Sequence, residues 1–344
     1  MHIRRTPYGI HSGTPRVDIT SRALEFIFRK YEGKQMKQFK NTNSLLTAAA
    51  ASLAAILLLS SAPSPTAELQ STTNTSIAVG PQYDSTHVYV APADLDAFVK
   101  SFTATFGGQA SKLQVMNVLP VPSSTEFQSV STPVGTLSVF AFQTPIPFPF
   151  GQERTGYLVT DMDAAIKAAH SAGAEVIVEP FKDAIGRDAV IQFPGGLKTQ
   201  LYWHFSPPNF PPLETIPDNR VYVSRDRADN FVKSFIAFSR GKVIEDNQRA
   251  DAGEIGRPNE TFHLIRITSL FGKMQINVTD GHLPFPFGHE IMGYQVSDLA
   301  VTLEKAKVAG AKILSPPFTA TDRVTAIVQF PGGYIAEIHS TSAR

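Results

Sequence analysis

The sequence predicts an α+β fold in which one βαβββ unit occurs four times, as two tandem copies of a pair of units. Three observations predict this fold. Residues 147–196 align without gaps on residues 284–333, with 22 identities in 50 positions. A second match relates residues 86–102 to residues 219–235, at an offset of 133 instead of 137. Within each copy, short β-branched and aromatic runs alternate with amphipathic stretches that end at glycines.

The first unit opens with a strand and a helix. Residues 87–90 (HVYV) form a short β-branched and aromatic run, which predicts a strand. The apolar residues that follow have helical spacing, and Gly107 ends the helix. These apolar residues are Leu95, Phe98, Val99 and Phe102.

The second unit repeats the plan. A strand over residues 157–159 is followed by Asp161, a residue type that caps helices, and Gly173 suits the C′ position of the same helix. Further strands are predicted at residues 176–178, 189–193 and 199–203. The turn FPGG joins the last two strands, with Pro at i+1 and Gly at i+2 as a type II turn requires, and it recurs at residues 330–333.

The distribution of charge and the lack of cysteine exclude several functions. Residues 1–40 hold nine Lys/Arg against three Asp/Glu, and the rest of the chain holds 22 against 27, a net charge of −5. The chain after residue 40 therefore lacks the excess of basic residues that is typical of a nucleic-acid-binding protein. Because the chain has no cysteine, disulfides, thiolate metal sites and cysteine nucleophiles are excluded.

The amino-terminal part predicts export. Residues 1–67 are interpreted as an upstream segment followed by a secretory signal at about 36–67. In the signal, the positive charges of Lys37 and Lys40 precede the uncharged run 45–59, and small residues follow it. The alternative is a membrane anchor, but a spanning helix needs ~20 apolar residues and this run is shorter and rich in Ala. We therefore expect a periplasmic or secreted protein without stable membrane insertion once the signal is removed.

The remaining chain divides into two modules. Residues 68–83 are rich in Ser and Thr and predict a flexible leader. The duplication then places one module at 84–205 and the second at 219–344. Between them, residues 206–218 contain five prolines, which predict a stiff, exposed linker.

Four βαβββ units in two tandem copies, with GYLVTDMDAAIKAAHSAGAEV and GYQVSDLAVTLEKAKVAGAKI each leading to FPGG and a closing strand, resemble the vicinal oxygen chelate superfamily. That group includes glyoxalase I, the bleomycin and fosfomycin resistance proteins and extradiol dioxygenases. The resemblance covers about residues 84–341. It implies two glyoxalase-like modules, each an open cup of mixed sheet made from two units, with a divalent metal inside the cup.

The resemblance also implies where metal ligands lie: at the start of the first strand and the end of the last strand of each unit. The strand-start positions here are His87, Gly156, Arg220 and Gly293, and the strand-end positions are Val139, Gln200, Ile276 and Glu337. Only His87, Gln200 and Glu337 of these can ligate a metal, and Glu337 is also a candidate catalytic base. One divalent ion, Zn, Mn, Fe or Ni, is therefore expected in a cup, or else none.

Two pairings of the units are open. If neighbouring units share a cup, the first cup holds His87 with Gln200, and the second holds Glu337 facing Arg220 as a salt bridge. If the units swap, first with fourth and second with third, His87 and Glu337 meet in one cup. Candidate substrate-binding residues on the same strands are Tyr89, Tyr202, Arg220 and His339.

The motif PFPFG, at residues 147–151 and 284–288, has two interpretations. It is either an aromatic wall for a ligand or a linker that packs Phe over the sheet edge, and the second is favoured because Pro cannot pair within a central strand.

We therefore expect an exported protein, monomeric and without nucleic-acid partners, that binds a small organic ligand. The chemistry implied by the resemblance is metal-assisted lyase, isomerase or dioxygenase chemistry. The alternative is a non-catalytic protein that binds or sequesters a small molecule with degenerate metal sites. The sequence contains no Gly-x-Ser-x-Gly, Walker or dinucleotide-binding motif, so it gives no support to hydrolase, NTPase or dehydrogenase functions.

Overall fold

The computed structural model describes residues 76–118, 121, 123–151, 154–206, 208–280 and 290–342. The predicted signal, most of the predicted leader and the second PFPFG motif lie outside the described residues. Within the described part of the chain, no helix has the length and apolarity needed to cross a membrane.

The first sheet has nine strands and is formed by the first two units. Its strands run in the spatial order β2-β4-β5-β1-β6-β9-β8-β7, with β3 paired to β4. Helices α1 (Leu95–Phe106) and α2 (Met162–Ser171) belong to these units. The strands are β1 (Ser85–Tyr89), β2 (Gln109–Ala110), β3 (Gln114–Val118), β4 (Ser123–Thr132), β5 (Gly135–Phe142), β6 (Arg154–Leu158), β7 (Glu175–Lys182), β8 (Gly186–Gln192) and β9 (Lys198–His204).

The second sheet has eight strands and repeats this order in the third and fourth units, as β11-β12-β13-β10-β14-β17-β16-β15. Helices α3 (Arg225–Ser239) and α4 (Leu299–Val308) accompany it. The strands are β10 (Asp218–Ser224), β11 (Lys242–Asp251), β12 (Thr261–Ser269), β13 (Gly272–Thr279), β14 (Glu290–Gln295), β15 (Lys312–Thr319), β16 (Arg323–Gln329) and β17 (Ile335–Thr341).

Within each sheet the two units join at their first strands. β1 is parallel to β5 and antiparallel to β6, and β10 is parallel to β13 and antiparallel to β14. The predicted α+β fold of four βαβββ units is therefore confirmed, and neighbouring units share a sheet. The swapped pairing, with His87 and Glu337 in one sheet, is not the one that forms.

The local signals of the sequence are found where they are predicted. The Asp161 carboxylate accepts a hydrogen bond of 2.7 Å from the Ala164 amide and so caps α2. In the second FPGG turn, Gly332 has φ 82° and ψ −1°, the left-handed conformation that position i+2 of a type II turn requires. These signals are local, which is why the sequence alone places them.

The apolar cores join other pairs of units than those that share a sheet. One core joins the first unit to the fourth: Phe98 and Phe102 of α1 pack edge-on against Tyr334, with ring centroids 5.7 and 6.3 Å away. The other joins the second unit to the third, where Phe193 contacts Phe231, Phe235 and Phe238 of α3. Each module therefore buries its helix-side face with help from the other.

Candidate functional site

Alternation along each strand separates the two faces of the sheets. In β1, Val88 belongs to the helix-side core, so His87 and Tyr89 face the other way; in β9, Leu201 is in the core and Gln200 faces the other way. We call the face of the first sheet that carries His87, Tyr89, Phe140, Gln200 and Tyr202 the first cup. The equivalent face of the second sheet, with Arg220, Arg266, Asn277, Glu337 and His339, is the second cup.

The first cup brings His87 and Gln200 to the same region of one sheet. Gly156 lies between them, because it pairs with Ser85 of the strand that carries His87 and with Gln200. A Cβ on Gly156 would lie 3.2 Å from Nε2 of His87. Glycine at this strand-start position therefore leaves room for the imidazole.

Aromatic rings form a wall beside His87. Tyr89 and Phe140 stack with ring centroids 5.4 Å apart, and Phe127 and His87 each lie within 5.4 Å of Phe140. Tyr89 and Phe142 are buried, whereas Phe127 and Phe140 are half-buried. The wall is thus apolar, and part of it is accessible from solvent.

The predicted substrate-binding residue Tyr202 has a structural contact. Its hydroxyl donates a hydrogen bond to the carbonyl oxygen of Tyr83. Burial raises the pKa of Tyr202 above its usual range, so this phenol stays protonated. Its ring also lines the first cup beside Gly156.

The two phenylalanines of the first PFPFG motif lie in different environments. Phe150 packs against Phe142, with ring centroids 6.5 Å apart, as expected for a linker that covers the sheet edge. Phe148 is 74% exposed, and Nζ of Lys198 lies 4.3 Å from its ring centroid.

The second cup contains the salt bridge expected for neighbouring units. Nη2 of Arg220 lies 3.1 Å from Oε1 of Glu337, and both side chains are almost fully buried. Nδ1 of His339 lies 2.8 Å from Oε2 of Glu337, and the Thr325 hydroxyl donates to Oε1. At the strand-start position of the third unit, the Arg220 guanidinium therefore pairs with the carboxylate of Glu337, which lies at the strand-end position of the fourth unit.

Gly293 makes this pair possible. A Cβ at this position would lie 2.6 Å from Oε2 of Glu337 and 2.8 Å from Nε of Arg220, closer than van der Waals contact allows. The equivalent Gly156 has milder contacts. Gly293, at the strand start of the fourth unit, is therefore required because a side chain there would overlap the Arg220–Glu337 ion pair.

The charged neighbours determine the protonation of Glu337. Burial raises its pKa, but the Arg220 guanidinium and His339 outweigh burial and lower the pKa to about 2. Glu337 is therefore ionised at neutral pH, and its charge is already neutralised by protein groups.

A short segment covers the second cup. The 3₁₀ helix Ala252–Ile255 follows β11 and brings Glu254 inward. Oε1 of Glu254 lies 3.4 Å from Nη1 of Arg220 and 3.2 Å from Nη2 of Arg266. Nη1 of Arg323 pairs with Asp218 at 2.8 Å. The cup is therefore lined by paired charges.

Sequence reasoning missed Glu254, Arg266 and Arg323. Alternation in β12 could have found Arg266, because Phe262 and Leu264 precede it on the same face. Glu254 carries no such signal, because it lies in a 3₁₀ segment, where the alternation of a strand does not apply. Val139 and Ile276, the predicted strand-end ligand positions, lie in the helix-side cores, and their cup-facing neighbours are Phe140 and Asn277.

The donor groups of the described residues do not complete a divalent-metal site. No group of three or more His, Asp or Glu residues with metal-binding geometry occurs in the described part of the chain. In the second cup a guanidinium already neutralises Glu337. In the first cup the candidate ligands are the imidazole of His87 and the amide of Gln200, since the strand-start position of the second unit is Gly156. The metal-binding roles of His87, Gln200 and Glu337, and the catalytic role of Glu337, stay predictions.

Comparisons with known proteins agree on the fold. No protein-family model matches the sequence, and no curated protein matches it. Among solved structures, a mutant of 4-hydroxymandelate synthase from Streptomyces coelicolor is 12% identical, with a TM-score of 0.58, and the match covers 78% of this chain and 94% of that one. The Mn(II)-bound glyoxalase from Novosphingobium aromaticivorans is 17% identical, with a TM-score of 0.50, and the match covers 77% and 83%.

Both proteins belong to the vicinal oxygen chelate superfamily. The resemblance that the sequence indicates is therefore confirmed at the level of the fold, including the curled mixed sheets.

Proposed function

We propose that this protein binds a small hydroxylated aromatic molecule in the first cup, and that the second module supports the first through the shared cores. This is the non-catalytic alternative raised by the sequence.

One observation carries the proposal: equivalent positions of the two cups differ in chemistry and in exposure. His87 and Gln200 of the first cup correspond to Arg220 and Glu337, which are paired with each other. Phe140 is half-buried, whereas its counterpart Asn277 is buried under the covered second cup. Among the described residues, only the first cup combines a half-buried aromatic wall with a buried imidazole and a buried amide, those of His87 and Gln200.

The chemistry of the first cup favours a planar ligand with a hydroxyl group. A ring stacked on Phe140 or Tyr89 gains about 0.5–1.5 kcal/mol beyond its burial. The His87 imidazole and the Gln200 amide both accept and donate hydrogen bonds, so they suit a hydroxyl better than a charged group.

A second candidate function is metal-assisted chemistry at the same place. His87 and Gln200 occupy the strand-start and strand-end positions that the family uses for metal ligands, and one structural neighbour is described as Mn(II)-bound. Elemental analysis of the purified protein discriminates: stoichiometric metal that is lost in His87→Ala would favour this candidate over the metal-free binder.

Ligand-observed NMR tests the proposal with phenol as the probe. We expect saturation transfer from the wild-type protein to phenol, and a signal reduced several-fold in Phe140→Ala. Asn277→Ala is the matched control, because it alters the same position of the second cup, and it should bind phenol as the wild type does. Equal binding by all three proteins, or no transfer to phenol, would overturn the proposal.

Export and a monomeric state are also proposed, on the sequence of residues 36–67 and on the internal completion of both sheets. The mass of the protein recovered from its export compartment and its mass in solution by light scattering test them separately.

A further inference from the structure

Two guanidinium groups converge on one carboxylate in the second cup. Nη1 of Arg220 and Nη2 of Arg266 lie 3.4 and 3.2 Å from the same oxygen of Glu254, and Nη2 of Arg266 lies 3.4 Å from the other. Pairs of arginines on one carboxylate are a geometry with which proteins bind small carboxylates. Here the carboxylate comes from the chain itself.

The hydrogen-bonding capacity of Arg220 is not filled. This side chain is 1% exposed, yet its Nε and Nη2 have no aligned hydrogen-bond partner among the described residues. Its distance of 3.1 Å to Glu337 is an ion-pair distance without hydrogen-bond alignment. The contact of Arg220 with Glu254, through Nη1 at 3.4 Å, is also longer than a well-formed charged hydrogen bond, so an anion in the place of the Glu254 carboxylate could approach Arg220 more closely.

The segment that carries Glu254 is attached separately from the main cores. Its apolar contacts form a small cluster of its own, and Gly256 ends the segment in the left-handed region, with φ 77°. The pairing of β11 with β12 is irregular between Asn247 and Ala250, just before the segment. The segment is therefore bounded by an irregularity of strand pairing before it and by a left-handed glycine after it.

With Glu254 in place, the inner carboxylates of the second cup equal the inner guanidinium groups in number. The inner carboxylates are those of Glu254, Glu337 and Asp218, and the inner guanidinium groups are those of Arg220, Arg266 and Arg323. The other partners of Arg266, Glu245 and Asp322, are 35% and 47% exposed and are screened by water. Loss of Glu254 from the cup removes one negative charge beside Arg220 and Arg266, which a monocarboxylate would restore.

We propose that the second cup is a binding site for a small monocarboxylate and that Glu254 is its built-in occupant. A free carboxylate takes the place of the Glu254 carboxylate between Arg220 and Arg266 when residues 251–256 move outward. The site then exchanges an internal anion for an external one without a change in net charge.

Acetate tests this proposal, because it supplies the atoms that Glu254→Ala removes. The melting temperature of the full chain is measured against sodium acetate, with sodium chloride at equal ionic strength and the neutral acetamide as references. We expect Glu254→Ala to show a saturable rise with acetate alone. Wild type should bind acetate at least ~10-fold more weakly, because its own side chain competes.

Glu245→Ala is the matched control, since it removes a different carboxylate from Arg266 at the more exposed side, and it should respond as wild type does. No acetate-specific rise in Glu254→Ala, or equally tight binding by wild type or Glu245→Ala, would overturn the proposal. Should Glu254→Ala be unfolded in chloride, its refolding yield in acetate decides: folding in acetate supports the site, and failure in both salts overturns it.

Discussion

The charge of Glu337 should stabilise the protein by an amount that depends on pH. The fall of its pKa from 4.5 to about 2 corresponds to about 3 kcal/mol of the free energy of unfolding. Because the folded-state pKa is lowered, this contribution is fully present above about pH 4.5 and is lost as the pH falls towards 2. Glu337→Gln removes the charge and leaves Arg220 with Glu254 as its remaining partner.

Urea unfolding followed by circular dichroism measures the difference between wild type and Glu337→Gln. We expect the free energy of unfolding of wild type to be larger by about 3 kcal/mol at pH 7. This difference should shrink steadily as the pH falls from about 4.5 towards 2. Other carboxylates titrate in both proteins, so the difference isolates Glu337. Glu260→Gln is the control, because its pair with Arg257 is half-exposed and should contribute at most ~1 kcal/mol. A gap that does not change with pH, or no gap at pH 7, would refute the reasoning.

Three further predictions concern stability. Gly293→Ala should lower stability by ~1–3 kcal/mol or more in thermal unfolding, because its Cβ would overlap the Arg220–Glu337 pair, and Gly156→Ala should cost less; the reverse order would contradict the geometry. Asp84→Asn should stabilise the protein at pH 7 and not at pH 3, because burial raises the pKa of Asp84 and penalises its charged form as the pH rises; a gain that is equal at both pH values would show another cause. Phe102→Ala should cost ~3–5 kcal/mol in chemical denaturation and lower the stability of both modules together, whereas separate transitions would contradict a shared core.

The fold follows from the sequence because its signals are local or repeated. Alternation sets the strand faces, Asp161 and Gly173 mark the ends of α2, and the 22 identities of the repeat extend each assignment to the second copy. The pairing of units is not local, since the hydrogen bonds between β1 and β6 join segments about 70 residues apart. Local signals therefore do not distinguish the two pairings, and only the hydrogen bonds between the strands do.

The errors at the site have a simple physical origin. Val139 and Ile276 were predicted one residue away from the cup-facing positions, and a shift of one residue in a strand moves a side chain to the opposite face. The salt bridge of Arg220 with Glu337 was predicted correctly for neighbouring units, because strand-start and strand-end positions follow from the repeat. Glu254 was missed because it lies in a 3₁₀ segment, where strand alternation does not indicate which way a side chain faces.

The most direct test of the account is the position of a bound ligand. Crystals soaked in 4-bromophenol would locate the bromine by anomalous scattering. The account predicts a peak in the first cup, with the ring against Phe140 and the hydroxyl towards His87 or Gln200. A peak in the second cup, or bromophenol bound elsewhere with no peak in the first cup, would contradict the assignment of aromatic-ligand binding to the first module.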